Sequence, residues 1–330
     1  MESIIPPKLH IGDTVRVIAP SMTDLDGSAI SSRTKMHAAQ KRLESLGLVV
    51  TYSDHLDVTD AFGSSSVEER IADLHDAFSD PEVKAVIALR GGYNANQLLS
   101  YVNYEHLRNH PKILCGFSDV TALTAAVYAR TGLVTYSGPN FRTFAATDPF
   151  DYTLECFRAC LFSDAPYALE QGEAYHDWSH PDPELRLREN QGLWVVNEGS
   201  AEGTIIGGNQ CTLNLLHGTP FMPDIRGSLL FLEDDYEASA KTVDRDLQSI
   251  IHQDGFGEVR GIVFGRFQEK TGMAPELLRE IVRSKKELRS LPILANADFG
   301  HTHPLATFPI GGTATIVARG NEASIVINTH

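Results

Sequence analysis

The chain has 330 residues, 42% of them apolar and 22% charged, with a formal net charge of −15. At roughly 100–200 residues per domain this length predicts two domains, with a core large enough to stand without disulfides or a structural metal. The acidic balance argues against a nucleic-acid backbone or an anionic membrane as partner, and leaves room for a small nucleotide-like ligand in a local pocket. The opening stretch, MESIIPPKLHIGDTVRVIAP, lacks the basic and then apolar regions of a secretory signal. No apolar run reaches the length of a membrane span. The four cysteines, Cys115, Cys156, Cys160 and Cys211, fit neither a zinc module nor a disulfide framework. Cys156 and Cys160, one turn apart on a predicted helix, read as small packing residues. The expected setting is a reducing one, the cytoplasm.

In chain order, VRVIAP (15–20) is a short apolar run ending in a turn, a buried strand. Residues 31–46 carry Met36, Ala39, Leu43 and Leu46 at helical spacing, and Gly47 stops them. A strand at 49–52 and a helix at 67–78 follow. AVIALR (85–90) is a third strand and runs into Gly91-Gly92. After a polar helical stretch come ILCGF (113–117), an apolar helix at 120–128 and LVTYSGP (133–139). Strands alternating with helices predict an α/β fold, a mainly parallel Rossmann-like sheet covered on both faces. Residues 163–190 are rich in Pro, Asp, Glu and His and read as a linker or long surface loop, a feature that is often functional. Beyond it, LWVVN, GTIIGG, SLLFLED, GIVFG, TATIVA and ASIVIN are short strand-like runs, interrupted by one helix at 243–252. They predict a smaller β-rich domain, barrel-like or sandwich-like. The expected division is 1–162, a linker over 163–192, and 193–330.

Four segments carry candidate chemistry. In LCGFSDVTAL a strand ends, Ser118 sits at the turn and a helix begins, as in a nucleophile elbow. The Asp119 N–H then faces the place where an oxyanion forms. Taken alone, the plainer reading is that Ser118 or Asp119 caps the helix. In LRGGYNANQ, Gly91 and Gly92 at the end of a parallel strand let a backbone approach a ligand, with the Gly92 N–H a second oxyanion donor; an ordinary tight turn explains them equally well. In SLLFLEDDYE a buried strand feeds into Glu233, a carboxylate that needs a partner such as a histidine N–H. A solvated acidic loop is the plainer account of Asp234 and Asp235. In FGHTHPLATF, His301 and His303 sit on a Gly/Pro-framed turn suited to a general base. A surface or core role is the plainer account of any one histidine. A metal site using His301 and His303 is the rival, weakened by the lack of a third ligand at suitable spacing.

RGGYN, GFSDVTAL, the GGN at 207–209, LFLEDDYE and FGHTHPLATFPIG together closely resemble the signatures of the LD-carboxypeptidase / microcin C immunity (MccF-like) family of serine peptidases. The resemblance runs from IGDTVRVIAPS almost to the end of the chain. It implies Ser118 as nucleophile, Glu233 as acid and His301 as base. It places the oxyanion hole at the Gly92 and Asp119 amides, and Gly91, Asn209 and His303 beside the substrate. It further implies a site between two domains, a homodimer, and no metal or other cofactor. The family's immunity branch cleaves a peptidyl or aminoacyl nucleotide; its murein branch releases D-alanine from tetrapeptides. His-Thr-His-Pro and the long loop carrying Trp178 resemble the immunity branch, where a loop tryptophan stacks on the nucleobase. Packing of the loop against the body is the other account of Trp178. A non-catalytic binding protein of the same fold is disfavoured by the complete Ser, Glu and His set.

Overall fold

The computed structural model describes residues 3–23, 29–146, 150–320 and 322–330. Five parallel strands, β1 (Thr14–Ile18), β2 (Val49–Tyr52), β3 (Val83–Ala88), β4 (Ile113–Cys115) and β5 (Thr135–Ser137), lie in the order 2-1-3-4-5. Alternation along β3 explains the two-sided cover: Val86 joins the core cluster of Leu74, Phe78 and Leu123, while Ala85 and Ile87 join that of Leu43 and Phe157. These partners come from α1 (Ala29–Ser45), α2 (Val67–Ser79), α4 (Thr121–Thr131) and α5 (Asp151–Leu161); α3 (Tyr104–Asn109) precedes β4. Helix α2 starts at a capping box, with the Ser66 hydroxyl accepting from the Glu69 N–H and Glu69 reaching back to the Ser66 N–H. This strand order reverses between β1 and β3, and the crevice at such a reversal, at the carboxyl ends of the strands, is where ligands bind in open α/β sheets.

The second sheet has eight strands: β6 (Tyr167–Ala168), β9 (Trp194–Asn197), β10 (Gly199–Asn209), β11 (Ser228–Glu233), β12 (Gly261–Arg266), β13 (Ile293–Gly300), β15 (Thr313–Ala318) and β16 (Ser324–Thr329). The β-rich expectation holds. A feature the short runs did not reveal is that β10, β11, β12 and β13 pair in parallel at the centre, flanked by antiparallel strands. The sheet curls until β9 comes near β15, although the terminal strands in its order, β6 and β9, do not pair. Two further expectations change. Besides α7 (Ala240–Ile251), two helices were missed in the sequence, the short α6 (Gln210–Asn214) and α8 (Pro275–Arg283), which starts with Pro275 in its first turn and buries Leu278, Ile281 and Val282. The stretch over 163–190 is not a plain linker: it supplies β6 and a small hairpin of β7 (Ala174–His176) and β8 (Leu187–Glu189). Strand β14 (Phe308–Ile310) crosses over and pairs antiparallel with β5, so the first sheet takes its sixth strand from the C-terminal half.

The two halves share one core. Leu230 and Leu232 of β11 belong to the same apolar cluster as Leu123 and Val127 of α4. A Cβ on Gly208 would meet Thr121 Oγ1 at 2.6 Å, so only glycine lets β10 approach the start of α4 this closely. The approach brings the Asn209 N–H to Thr121 Oγ1 at 3.0 Å. The carboxyl ends of β3, β4, β11 and β13 therefore face one cleft.

Candidate active site

Three residues past β4, Ser118 opens a single 3-10 turn that runs into α4. Its φ is +63°, a left-handed conformation that costs a side-chain-bearing residue about 1–3 kcal/mol. The surrounding bonds hold it there. Asn140 Oδ1 accepts from the Phe117 N–H at 3.2 Å. Asp119 is buried, and its Oδ2 accepts from the Ser21 hydroxyl at 2.5 Å and from the Ala95 N–H at 2.8 Å. This carboxylate ties the turn to the loops after β1 and β3, the two strands at the order reversal.

A Cβ on Gly91 would lie 2.9 Å from Ser118 Cβ, 3.0 Å from Ser118 Oγ and 3.5 Å from the Asp119 nitrogen. Glycine at 91 thus keeps open the space between hydroxyl and amide where a substrate carbonyl oxygen would sit. Among the described residues, the Gly92 N–H is not used by the backbone hydrogen bonds that close this loop.

Glu233 is the last residue of β11 and His301 follows the last residue of β13. His301 Nδ1 lies 2.7 Å from Glu233 Oε2, and His301 Nε2 lies 3.1 Å from Ser118 Oγ. With Nδ1–H donating to the carboxylate, Nε2 is left to accept from the Ser118 hydroxyl. The Phe117 ring packs 5.2 Å from the imidazole. Burial by itself pulls the His301 pKa down, but the charge and hydrogen bond of Glu233, with Asp235 and Asp234, outweigh it and the net shift is upward. Asp234 is pushed up to about 7, by burial first and by the Glu233 charge second.

These residues open onto a cleft of about 620 Å³. Gly91, Gly92, Ser118, His301, His303 and Trp178 all line it. His303 is held by backbone bonds to His176. Burial, then His176 and His301, lower its pKa to about 4, so it is neutral near pH 7. Trp178 is 41% exposed and meets the Tyr236 ring edge-on, centroids 5.3 Å apart. It therefore packs on the body and faces the cleft at once.

Asn209 is placed differently. It pairs in register with Glu233 at the end of β10, but it is buried and absent from the cleft lining. Its Oδ1 caps α6 by accepting from the Thr212 N–H, and its Nδ2 donates to Asp234 at 3.3 Å. The GGN stretch joins the two halves beneath the site. Sequence reasoning missed Phe117, Tyr93, Asn140 and Tyr236, which line the cleft. Tyr93 and Tyr236 lie inside the RGGYN and EDDYE stretches, so adjacency was a usable signal. Asn140 stands after a Gly-Pro turn and carried none. Among the described residues, no group of three His, Cys, Asp or Glu is arranged to hold a metal ion. Cys115, Cys156 and Cys160 are free and buried.

With the elbow, the histidine and the carboxylate placed on this fold, the chain compares directly with known peptidases. Residues 15–138 match the LD-carboxypeptidase N-terminal domain and residues 202–316 the LD-carboxypeptidase C-terminal domain of the S66 peptidases. The chain belongs to this family and is a serine peptidase. It is 46% identical, over 98% of its length and 99% of the relative's, to the putative carboxypeptidase YocD of Bacillus subtilis. The crystal structure of an MccF-like protein from Bacillus anthracis superposes with a TM-score of 0.95 at 45% identity, covering 99% of this chain and 100% of that one. The structure of MccF in complex with glutamyl sulfamoyl guanosine superposes with a TM-score of 0.86 at 28% identity, covering 98% of each chain. No helix among the described residues is long and apolar enough to cross a membrane.

Proposed function

We propose that this peptidase works through a Ser118–His301–Glu233 relay and acts on a peptidyl or aminoacyl nucleotide of the processed microcin C type. The observation that carries the catalytic half is the unbroken pair of contacts, 2.7 Å and 3.1 Å, ending on a serine held at positive φ. In this reading His301 Nε2 takes the Ser118 proton as Oγ attacks the carbonyl carbon, and Glu233 stabilises the imidazolium. The Gly92 and Asp119 amides hold the negative carbonyl oxygen. Collapse breaks the C–N bond, and the amine leaves with the proton from His301. Water then attacks the acyl-serine, with His301 again as base, and frees the acid and Ser118. His301 has both ring nitrogens committed to Glu233 and Ser118, which disfavours a metal-dependent reading through His301 and His303.

The substrate half rests on the Trp178–Tyr236 pair lining the cleft, where stacking on a base contributes about 1–3 kcal/mol. That a related MccF binds glutamyl sulfamoyl guanosine supports it. Neutral His303 and the space beside Gly91 suit a polar, uncharged contact near the acyl group. The alternative is release of D-alanine from a murein tetrapeptide. The observation favouring it is the presence of Lys35, Arg90 and Arg142 in the cleft lining, since a terminal carboxylate is recognised by cations. The same reading puts the protein in the cytoplasm as a homodimer without cofactor. It assigns the nucleophile to a domain over 1–162, a substrate loop to 163–192, and acid and base to a domain over 193–330.

The test is product analysis by mass spectrometry with an aminoacyl sulfamoyl adenosine and a murein tetrapeptide side by side. Wild type and Ser118→Ala are run, each with and without a chelator. Cleavage of the nucleotide, lost in Ser118→Ala and indifferent to chelator, is expected. D-alanine release alone transfers the enzyme to wall recycling. Near-normal turnover by Ser118→Ala removes the relay.

A further inference from the structure

The loop that carries Trp178 is pinned to the second sheet at both ends and in the middle. At its ends, Asp298 Oδ2 accepts from the Gly172 N–H at 2.6 Å and from Asn190 Nδ2 at 3.2 Å, and Asp298 is ion-paired with Arg266. In the middle, Asp177 is 1% exposed. Its Oδ2 accepts from the Glu269 N–H at 2.7 Å, and its Oδ1 from Gln268 Nε2 at 3.2 Å. Gln268 is itself fully buried, and its Oε1 accepts from the Tyr236 N–H at 2.9 Å. One amide side chain therefore joins the residue before Trp178 to the backbone of Tyr236. The rings of those two residues stand at 89° to each other in the cleft lining, with Lys270 Nζ 4.3 Å from the Tyr236 centroid. Neither Asp177 nor Gln268 lines the cleft. A buried amide with both ends bonded specifies one geometry, because leaving either end unpaired is costly.

We propose that Gln268 and Asp177 are positioning residues that lock Trp178 and Tyr236 into one edge-to-face unit and thereby set selectivity for substrates bearing a flat ring beyond the scissile bond. This rests on the cleft beside Ser118 being the active site. A single bridge can do this because the two rings come from segments about sixty residues apart in sequence, and among the described residues Gln268 is the side chain bonded to both.

The test uses the full chain and two probes, aspartyl sulfamoyl adenosine and the aspartyl sulfamoyl ribose that lacks the base. Gln268→Ala is expected to raise KM for the first about tenfold, with kcat unchanged, and to leave both constants for the second unchanged. In a Trp178→Ala background, Gln268→Ala is expected to add nothing. Trp178 and Trp194 are the two tryptophans of the chain. In a Trp194→Phe background, Gln268→Ala therefore shifts Trp178 emission to longer wavelength and increases its quenching by acrylamide. Additive losses with Trp178→Ala, equal losses on both probes, or unchanged Trp178 emission would overturn the proposal. If Gln268→Ala fails to fold, Asp177→Asn, which keeps the shape and one acceptor, carries the same measurements with a smaller effect. If the wild type hydrolyses neither probe, the substrate reading has failed and the Trp178 emission decides the positioning alone.

Discussion

Ser118 is the residue at which local rules and function part company. A serine between a strand and a helix is an ordinary cap by sequence, but a φ of +63° is not a cap geometry. The strain is sustained by Asp119 and Asn140 and aims the hydroxyl at His301. Because Glu233 raises the His301 pKa, kcat/KM is expected to fall on the acid side with a midpoint above 6.5, as protonation removes the base. Glu233→Gln leaves burial opposed only by the weaker pull of Asp235 and Asp234, so that midpoint moves down and kcat drops roughly a thousandfold or more; a pH–rate profile of both enzymes checks this. Gly91→Ala fills the space between Ser118 Oγ and the Asp119 nitrogen, and kcat is expected to fall about a hundredfold with little change in thermal midpoint. Asp234 has a folded pKa of about 7, above its ordinary 3.8, so its contribution to stability is greatest below 3.8 and is lost as pH rises through 7. Asp234→Asn keeps the acceptor for Asn209 and should stabilise the protein more at pH 8 than at pH 5, by roughly 1–3 kcal/mol; thermal melts at the two pH values decide it.

Among the elements, those with a complete local signal were legible. Helix α2 has its box at Ser66 and Glu69 and its apolar stripe at Leu74 and Phe78. Ser66→Ala is expected to lose about 1 kcal/mol in a urea titration and to leave turnover unchanged, since Ser66 does not line the cleft. Helix α8 was missed although Pro275 starts it and Leu278, Ile281 and Val282 lie on one face; the run is short and surrounded by strand-like segments. The stretch 163–190 misled for the opposite reason. Its polar composition is that of a linker, but Asp177 and Asn190 spend their polar atoms on buried partners. Composition reports the kind of atom and not whether water or protein satisfies it.

At the scale of the molecule, the site depends on two sheets presenting their strand ends to one cleft through a continuous core. The buried Arg266–Asp298 pair sits where the Trp178 loop is fastened to β12 and β13. Asp298→Ala strands the guanidinium and is expected to cost about 3–5 kcal/mol, read as a lower urea midpoint. By itself the sequence determined the alternating α/β half, the β-rich half and the family, and it named the Ser, His and Glu of the proposed relay, because each is written in local spacing or in short contiguous motifs. The tertiary structure alone decided that β10, β11, β12 and β13 run parallel, and that β14 crosses to the other sheet. It also decided that Asn209 joins the two halves and does not face the cleft, and that Gln268 bonds to the loop of Trp178. The physical reason is common to all of these. Strand direction, sheet membership and the partner of a buried polar atom depend on groups far away in the chain, and nothing in a residue's own neighbourhood encodes which distant group will meet it.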